Sequence, residues 1–565
     1  MVLAVAFDSL GDELLERVLL ACVSSNERHA QPTQCGGGGG AGGDRRVGPA
    51  WSGASTIPCV SKRWRRVWNA STLLHPTLAL DLHRLEAQLS GPADEAVLLR
   101  VLSQRCAAAR RVFLHREGQR LRMAVVLRLA SPHLQAVYLG AGAPQDALAE
   151  LHRFPALRSL DLPAAACPEG QLPGFAQSLE ELTLREGVSP GLLSTLASLP
   201  RLRLLSLTLT ETLPPEHHRQ LAALRSLEEL HLYFTPYQPT AFDFQPSALA
   251  ALTRLRSVLL VAPRDSMCQP LTIGPGMSKL AALQELQVES RVDRLPADLW
   301  SCLHLTRLDL DLGHSAGLPA APAGPSNGAA VLPALRELRL ARCRLQGGAL
   351  PQALCQLSTL CRLEVLSCGL ASSAAHAGLP DGFSRLTQLE HLSLEANALC
   401  ALPPALCTLS ALRHLDLSCN QLAWLPPGPY LRPLETLLLS ANRLAQVPPV
   451  LAEAASLEVL DLSSNPALEL SRQDVQAVLS RMPRLSLLLL GKQAALDLPP
   501  GMGITAAGLP GGLEWRTPSV AALVALGQAL PHLQIDFEHT AKEYEASRRA
   551  LHGSCCDYAW LLHPV

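Results

Sequence analysis

Leu389-Glu-His-Leu-Ser-Leu-Glu-Ala-Asn-Ala-Leu399 returns as Leu412-Arg-His-Leu-Asp-Leu-Ser-Cys-Asn-Gln-Leu422, then as Leu434-Glu-Thr-Leu-Leu-Leu-Ser-Ala-Asn-Arg-Leu444. A fourth copy runs Leu457-Glu-Val-Leu-Asp-Leu-Ser-Ser-Asn-Pro-Ala-Leu468. The starts at 389, 412, 434 and 457 are 23, 22 and 23 residues apart. Within each copy two leucines alternate around one residue, the mark of a short strand with one buried face. The asparagine follows where the strand must bend, and its amide can satisfy backbone groups that the bend leaves unpaired.

A period of this length with this pattern is that of a leucine-rich repeat, and such repeats stack into a solenoid. The expected fold is α/β: a parallel sheet on the concave face, with helices and irregular segments on the convex face. Leu402-Pro-Pro-Ala-Leu-Cys-Thr-Leu409 supplies one outer wall, with Leu406 and Leu409 at helical spacing and turned inward. Weaker copies lead outward through Leu134/Val137/Leu139, Leu157/Leu160/Leu162, Leu179/Leu182/Leu184, Leu202/Leu205/Leu207, Leu227/Leu230/Leu232 and Leu255/Val258/Leu260. They continue through Leu283/Leu286/Val288, Leu305/Leu308/Leu310, Leu335/Leu338/Leu340 and Leu360/Leu363/Val365 to the regular array. Ala109/Val112/Leu114 and Leu485/Leu488/Leu490 bracket the series. The solenoid is therefore expected over 109–490, about 16 repeats, most regular over 389–470. Cys343 and Cys368 stand at the asparagine position, a structural slot. A helical linker or N-terminal cap is expected over 81–108, a Gly/Pro-rich loop over 491–518, and a capping segment and tail over 519–565. There Val520–Leu530 reads as a helix and Leu533/Ile535/Phe537 as a last strand.

The bulk numbers fit an intracellular solenoid. The chain has 565 residues, of which 48% are hydrophobic and 17% charged, a balance that excludes disorder throughout. A net charge of −1 and a pI near 7.0 give no case for nucleic acid or an anionic membrane. No apolar run approaches the roughly 18 residues a membrane span needs, and Met1–Asp8 lacks the basic and apolar regions of a signal peptide. Sixteen cysteines lie scattered without paired spacing, which points to reduced thiols. The expected location is the cytoplasm, with the nucleus and cytoskeletal or ciliary structures as alternatives.

The first 80 residues are different. Ser9 can cap a helix with Asp12 three residues on, and Leu10, Leu14, Leu15, Val18 and Leu19 form one apolar stripe. A Gly-rich insert over about 29–55, with Gly36–Gly40 at its centre, reads as a disordered loop. Then come Val60-Ser61-Lys62-Arg63-Trp64-Arg65 and the closing leucines Leu74, Leu78 and Leu80. This order resembles the F-box, with Gly11 where that family usually has proline. The resemblance implies a small α-helical module at 1–80 that docks a Skp-type adaptor of a cullin–RING ubiquitin ligase through Leu10, Leu14, Leu15, Val18, Leu19, Val60 and Trp64. It also implies that the repeats hold a protein substrate. The alternative reading of the stripe is a helical cap on a non-ligase scaffold, similar to intracellular Ras-associated or cilium-associated leucine-rich proteins.

No catalytic chemistry is expected. Gly324-Pro-Ser-Asn-Gly328 has the letters of a nucleophile elbow but lies in an Ala/Pro/Gly loop rather than between strand and helix. Gly36–Gly40 precedes no Gly-Lys-Ser/Thr. Cys355, Cys361 and Cys368 lack zinc-ligand spacing, and Asn69-Ala-Ser71 is a glycosylation pattern in a chain that shows no secretion signal. No metal or cofactor is expected. The candidate contact residues on the concave face are Tyr233, Glu285, Asp309, Glu337, His391, Glu395, His414 and Asp416. Eleven acids occupy strand positions there (Glu181, Glu229, Glu289, Asp311, Glu364 and Asp461 among them), against Arg185, Arg307, Arg339 and Arg362. That face reads either as a surface for a partner rich in Lys or Arg or as a sheet face kept acidic for solvation.

Overall fold

The computed structural model describes residues 77–87, 98–100, 102–103, 106–107, 109–119, 121–140, 143–164, 177–185, 187–188, 190–196, 199–210, 215–235, 243–263, 269–319, 331–371, 378–490, 504–505 and 525–536. Residues 1–76 of the F-box-like segment, with Leu10, Leu14, Leu15, Val18, Leu19, Val60 and Trp64, lie outside them, as do the Gly-rich insert, most of 491–518 and the tail beyond Asp536. Its last residues, with Leu78 and Leu80 expected to close that module, belong instead to a strand of the repeat sheet. The chain divides into two units, Met1–Arg185 with Tyr544–Val565, and Glu186–Glu543.

In the first unit, strands β1 (Thr77–Asp81), β2 (Arg111–His115), β3 (Ala136–Leu139), β4 (Ser159–Pro163) and β5 (Glu181–Arg185) pair in parallel in that order. Among the described residues the sheet thus starts at Thr77, not near Ala109. Leu78 and Leu80 are buried strand residues that pair with Val112 and Leu114. Their two-leucine alternation sits 34 residues before its register partner (Leu78 to Val112), outside the period that made the other turns legible.

In the second unit, β6 (Leu204–Leu209), β7 (Glu229–Phe234), β8 (Asp243–Phe244), β9 (Ser257–Val261), β10 (Thr272–Ile273), β11 (Glu285–Glu289), β12 (Arg307–Asp311) and β13 (Glu337–Ala341) come first. They are followed by β14 (Arg362–Leu366), β15 (His391–Ser393), β16 (His414–Asp416), β17 (Thr436–Leu438), β18 (Val459–Asp461), β19 (Leu487–Leu489), β20 (Ile504–Thr505) and β21 (Gln534–Asp536). From β6 to β19 the neighbours pair in parallel, except that β8 and β10 form a two-stranded parallel sheet of their own within the longer turns. β21 adds in parallel to β19, where Leu533, Ile535 and Phe537 predict a last strand. The fold is a leucine-rich-repeat solenoid.

The ladder leucines do what their spacing predicts. Leu392, Leu415, Leu437 and Leu460 lie in one register row, each with 0% exposure, and each such burial stabilises by about 1.5–3 kcal/mol. The wall behind the sheet changes along the chain. Early turns carry short α-helices, such as Met123–Leu129, Gln145–Glu150 and Pro190–Leu196. Later turns carry 3-10 segments, such as Ala297–Ser301, Gln352–Gln356 and Pro449–Glu453. Each of these three follows a proline, whose fixed φ suits a helix start. A 22–23-residue turn leaves few residues for the return path, and the 3-10 form covers more length per residue.

The bend after each strand is built from two adjacent residues. Arg342, Ser367, Ala396, Cys419, Ala441 and Ser464 have φ between 50° and 56°, and each directly precedes the slot residue, Cys343, Cys368, Asn397, Asn420, Asn442 or Asn465. The asparagine amide then ties the bend to the previous turn. Asn420 Nδ2 donates to Leu394 O at 2.9 Å, while its Oδ1 accepts from Leu399 N at 3.1 Å. The two cysteines keep part of this pattern. Cys343 Sγ donates to Leu310 O at 3.5 Å and Cys368 Sγ to Leu340 O at 3.4 Å, and the Cys343 amide donates to Cys368 Sγ at 3.4 Å.

Candidate functional site

Strand alternation gives the sheet one face packed on the solenoid interior and one open face. In the second unit the register sets the open face in rows. One runs Glu285, Arg307, Glu337, Arg362, His391, His414, Thr436 and Val459. The next runs Ser206, His231, Leu259, Gln287, Asp309, Arg339, Glu364, Ser393, Asp416, Leu438 and Asp461. Charge therefore concentrates on β12–β14, around a depression of about 380 Å³ lined by Arg307, Asp309, Glu337, Arg339, Arg362 and Glu364.

That charge is internally matched. Arg339 Nη1 donates to Asp309 Oδ1 at 2.8 Å and its Nε lies 3.4 Å from Glu364 Oε2. Arg362 Nε donates to Glu364 Oε1 at 2.7 Å, and Arg307 Nε stands 3.7 Å from Glu337. Arg342, one residue beyond β13, pairs with Asp311 through both Nε and Nη2. Asp309 is only 7% exposed, and burial raises its carboxyl pKa against the pull of Arg339. The expected surplus of negative charge on the concave face is thus corrected for this region, because the acids are neutralised by arginines on adjacent turns.

His391 and His414 stack beside this mesh, ring centroids 4.2 Å apart and planes 5° apart. His391 Nε2 lies 3.6 Å from Glu364 Oε1. Burial first, then His414 and Arg362, push the His391 pKa down to about 3, so the imidazole is neutral at pH 7 and its approach to Glu364 is not an ion pair. The sign for stability follows from linkage. Between the ordinary value of 6.5 and about 3, the unfolded chain takes up a proton that the folded chain refuses. Stability is then complete above pH 6.5 and falls as pH drops toward 3, at up to about 1.4 kcal/mol per pH unit. His391→Asn should flatten the decline of the urea midpoint between pH 6.5 and 4.5. Equal declines in both chains would show that another group carries it; His231, whose pKa burial also lowers, is the first to check.

The other expected contact residues separate. Glu285 is exposed at the start of β11. Tyr233 is half-buried on β7, and its hydroxyl pKa is raised by burial and by Glu289. Glu395 is half-buried beyond β15. Asp416 does not face solvent as expected. It is 5% exposed, and its Oδ1 accepts from Ser418 N at 2.9 Å while Ser393 Oγ lies 3.3 Å from Oδ2. Asp461 is used the same way, accepting from Ser463 N and Oγ. Both aspartates are parts of the bend.

The leucine ladder gives no hint of a second feature on the open face, in the first unit. Phe113 and Tyr138 stack with centroids 4.0 Å apart and planes 1° apart. Aligning the turns by their anchors would have placed both at the position between ladder residues, which is the only signal the sequence holds for them.

Among the described residues, no cluster of three or more His, Cys, Asp or Glu is placed to hold a metal ion, and no helix is long and apolar enough to cross a membrane. No protein-family model and no curated protein matches the chain. Among solved structures it is similar to a leucine-rich-repeat protein of Leptospira interrogans, with 20% identity over 77% of this chain and 92% of that one, TM-score 0.45. It is also similar to an internalin of Listeria monocytogenes, with 19% identity over 56% and 82%, TM-score 0.39. A TDR receptor matches with 20% identity over 65% and 61%, TM-score 0.41.

Proposed function

We propose that the chain is a non-catalytic substrate-recognition adaptor of an SCF-type ubiquitin ligase. Residues 1–80 would dock a Skp-type adaptor and through it the cullin complex, and the open face of the solenoid would hold a protein substrate. The observation that carries this reading is the order Leu10/Leu14/Leu15/Val18/Leu19, then Val60-Ser61-Lys62-Arg63-Trp64, directly ahead of the repeat sheet. A helical cap accounts for the apolar stripe but not for the Val-Ser-Lys-Arg-Trp run after it. The mechanism is proximity: holding a substrate beside the ligase raises the effective concentration of its lysines at the transfer site. The paired charges on β12–β14 favour a partner that matches both signs, not one selected by basicity alone.

The test is co-purification of the full chain with a Skp-type adaptor, beside a Leu14→Ala/Trp64→Ala double variant. A complex formed by the parent chain and lost in the variant, with the urea midpoint of the solenoid unchanged, supports the ligase role. No complex from either chain leaves the alternative of a leucine-rich-repeat scaffold with a signalling, cytoskeletal or ciliary partner.

A further inference from the structure

Cys343 and Cys368 hold the asparagine slot on two consecutive turns, in register. β13 and β14 pair as far as Ala341 and Leu366. Each cysteine stands two residues beyond, directly after a left-handed residue, Arg342 at φ 50° or Ser367 at φ 53°. The two bends are therefore copies of one another. Cys343 Sγ lies 3.5 Å from Leu310 O and Cys368 Sγ 3.4 Å from Leu340 O, and those carbonyls belong to register partners. The Cys343 amide donates to Cys368 Sγ at 3.4 Å, which brings the second sulfur against the first cysteine. Adjacent strands lie about 4.8 Å apart, within the roughly 4.4–6.8 Å between α-carbons that a disulfide spans. A slot cysteine beside a slot asparagine has no such partner; two on neighbouring turns do.

We propose that Cys343 and Cys368 form an oxidation site, a dithiol that a small peroxide converts to a disulfide joining the two turns. The Cys368 thiolate attacks one peroxide oxygen: an S–O bond forms, the O–O bond breaks, and the departing hydroxide takes up the thiol proton as water. The Cys343 sulfur then attacks the Cys368 sulfenic acid: the S–S bond forms, the S–O bond breaks, and a second water leaves with the Cys343 proton. Two thiols have lost two electrons and two protons, and one peroxide has become two waters. Cys368 reacts first. It is 6% exposed where Cys343 is 0%, and a hydrogen bond from the Cys343 thiol lowers its pKa against the effect of burial. The same contact, then burial, raises that of Cys343. The bond replaces two thiol–carbonyl contacts by a covalent tie at the ends of β13 and β14, the strands that carry Arg339 and Glu364 into the charged depression. The inference is independent of the ligase assignment.

The experiment treats the full reduced chain with hydrogen peroxide, blocks the remaining thiols with iodoacetamide in urea, and maps the tryptic peptides by mass. The dipeptide Cys343-Arg344 should appear joined to Leu363–Arg385, about 2 Da below the sum of the separate peptides, and dithiothreitol should release it. The exposed thiols Cys400 and Cys419 fall in other tryptic peptides, so their oxidation is read apart. The oxidised chain should have a higher urea midpoint than the reduced one, because the tie restricts the unfolded chain. Cys368→Asn, which restores the slot's usual residue, should lose both the joined peptide and the midpoint rise while matching the parent chain when reduced. Because the pair is buried, the reaction is repeated in glutathione buffers of rising oxidised fraction, until mixtures started from either form agree. Cys343 and Cys368 both alkylated at every ratio, or oxidised only separately as sulfinic acids or glutathione adducts, would overturn the inference.

Discussion

Leu437→Ala should destabilise the regular array by about 3–4 kcal/mol, in the upper part of the range for buried leucine truncations. Leu437 has 0% exposure and lies in register between Leu415 and Leu460, each also at 0%. The lost side chain leaves a cavity whose nearest walls are leucines of the two neighbouring turns. Those turns are held at fixed spacing by the parallel ladder, so they cannot close the space without breaking sheet hydrogen bonds, and the cavity cost is retained. Thr436→Ala is the control, since Thr436 is half-buried on the open face; it should change stability by less than about 0.5 kcal/mol. The measurement is the urea midpoint with the slope monitored, because repeat arrays can unfold in parts and a changed slope would report lost cooperativity. A Leu437→Ala cost under about 1 kcal/mol would mean that the turns adjust independently and the interior is not packed as described.

Asn442→Ala should cost about 3 kcal/mol although it removes only an amide. Asn442 is 4% exposed, its Nδ2 donates to Leu417 O at 2.9 Å and Leu439 O at 3.1 Å, and its Oδ1 accepts from Leu422 N at 2.9 Å. Alanine leaves the buried Leu422 N unmet, at about 1–3 kcal/mol, and takes one donor from each carbonyl, though Leu417 O keeps Asn420 Nδ2 and Leu439 O keeps Asn465 Nδ2. Asn442→Asp should be no better, because a carboxylate can accept from Leu422 N but turns a negative charge on two carbonyl oxygens. Asn442→Cys should be the mildest of the three. The chain already places Cys343 and Cys368 in this slot, where a thiol donates to the previous turn's carbonyl. The ranking Cys, then Ala and Asp, measured by urea midpoints, separates a hydrogen-bonding role from simple filling of space. If alanine proved milder than cysteine, the slot would be steric.

The open face was only half legible. Its positions could be read, because they alternate with the leucines, and the acids and arginines there were visible as residue types. Their pairing was not. Arg339 meets Asp309 across 30 residues of sequence and Arg342 meets Asp311 across 31, so a count of charges along the chain gives a surplus where folded β12–β14 have a balance. Asp416 and Asp461 misled for a related reason. An aspartate between two ladder leucines looks solvated, yet the backbone amide two residues on turns back to meet it. Phe113 and Tyr138 carry no signal in the ladder, which marks the buried face, and only the register of β2 with β3 makes them a pair.

By itself the sequence determined the repeat: where the leucines fall, which face they bury, where the asparagines and their cysteine substitutes sit, and hence the leucine-rich-repeat fold. These are local properties with a fixed period, so each turn states them again. Only the tertiary structure decided that, among the described residues, the sheet begins at Thr77, that arginines and carboxylates pair across β12–β14, and that Phe113 stacks on Tyr138. It also decided that residues such as Ala441, with no glycine's freedom, hold a left-handed φ of 52°, a conformation that costs about 1–2 kcal/mol. That strain persists because the amide of Asn442 next to it ties the bend to the preceding turn at two points, Leu417 O and Leu422 N. All of these depend on which turns become neighbours, and turns of unequal length bring together residues whose separation follows no single period.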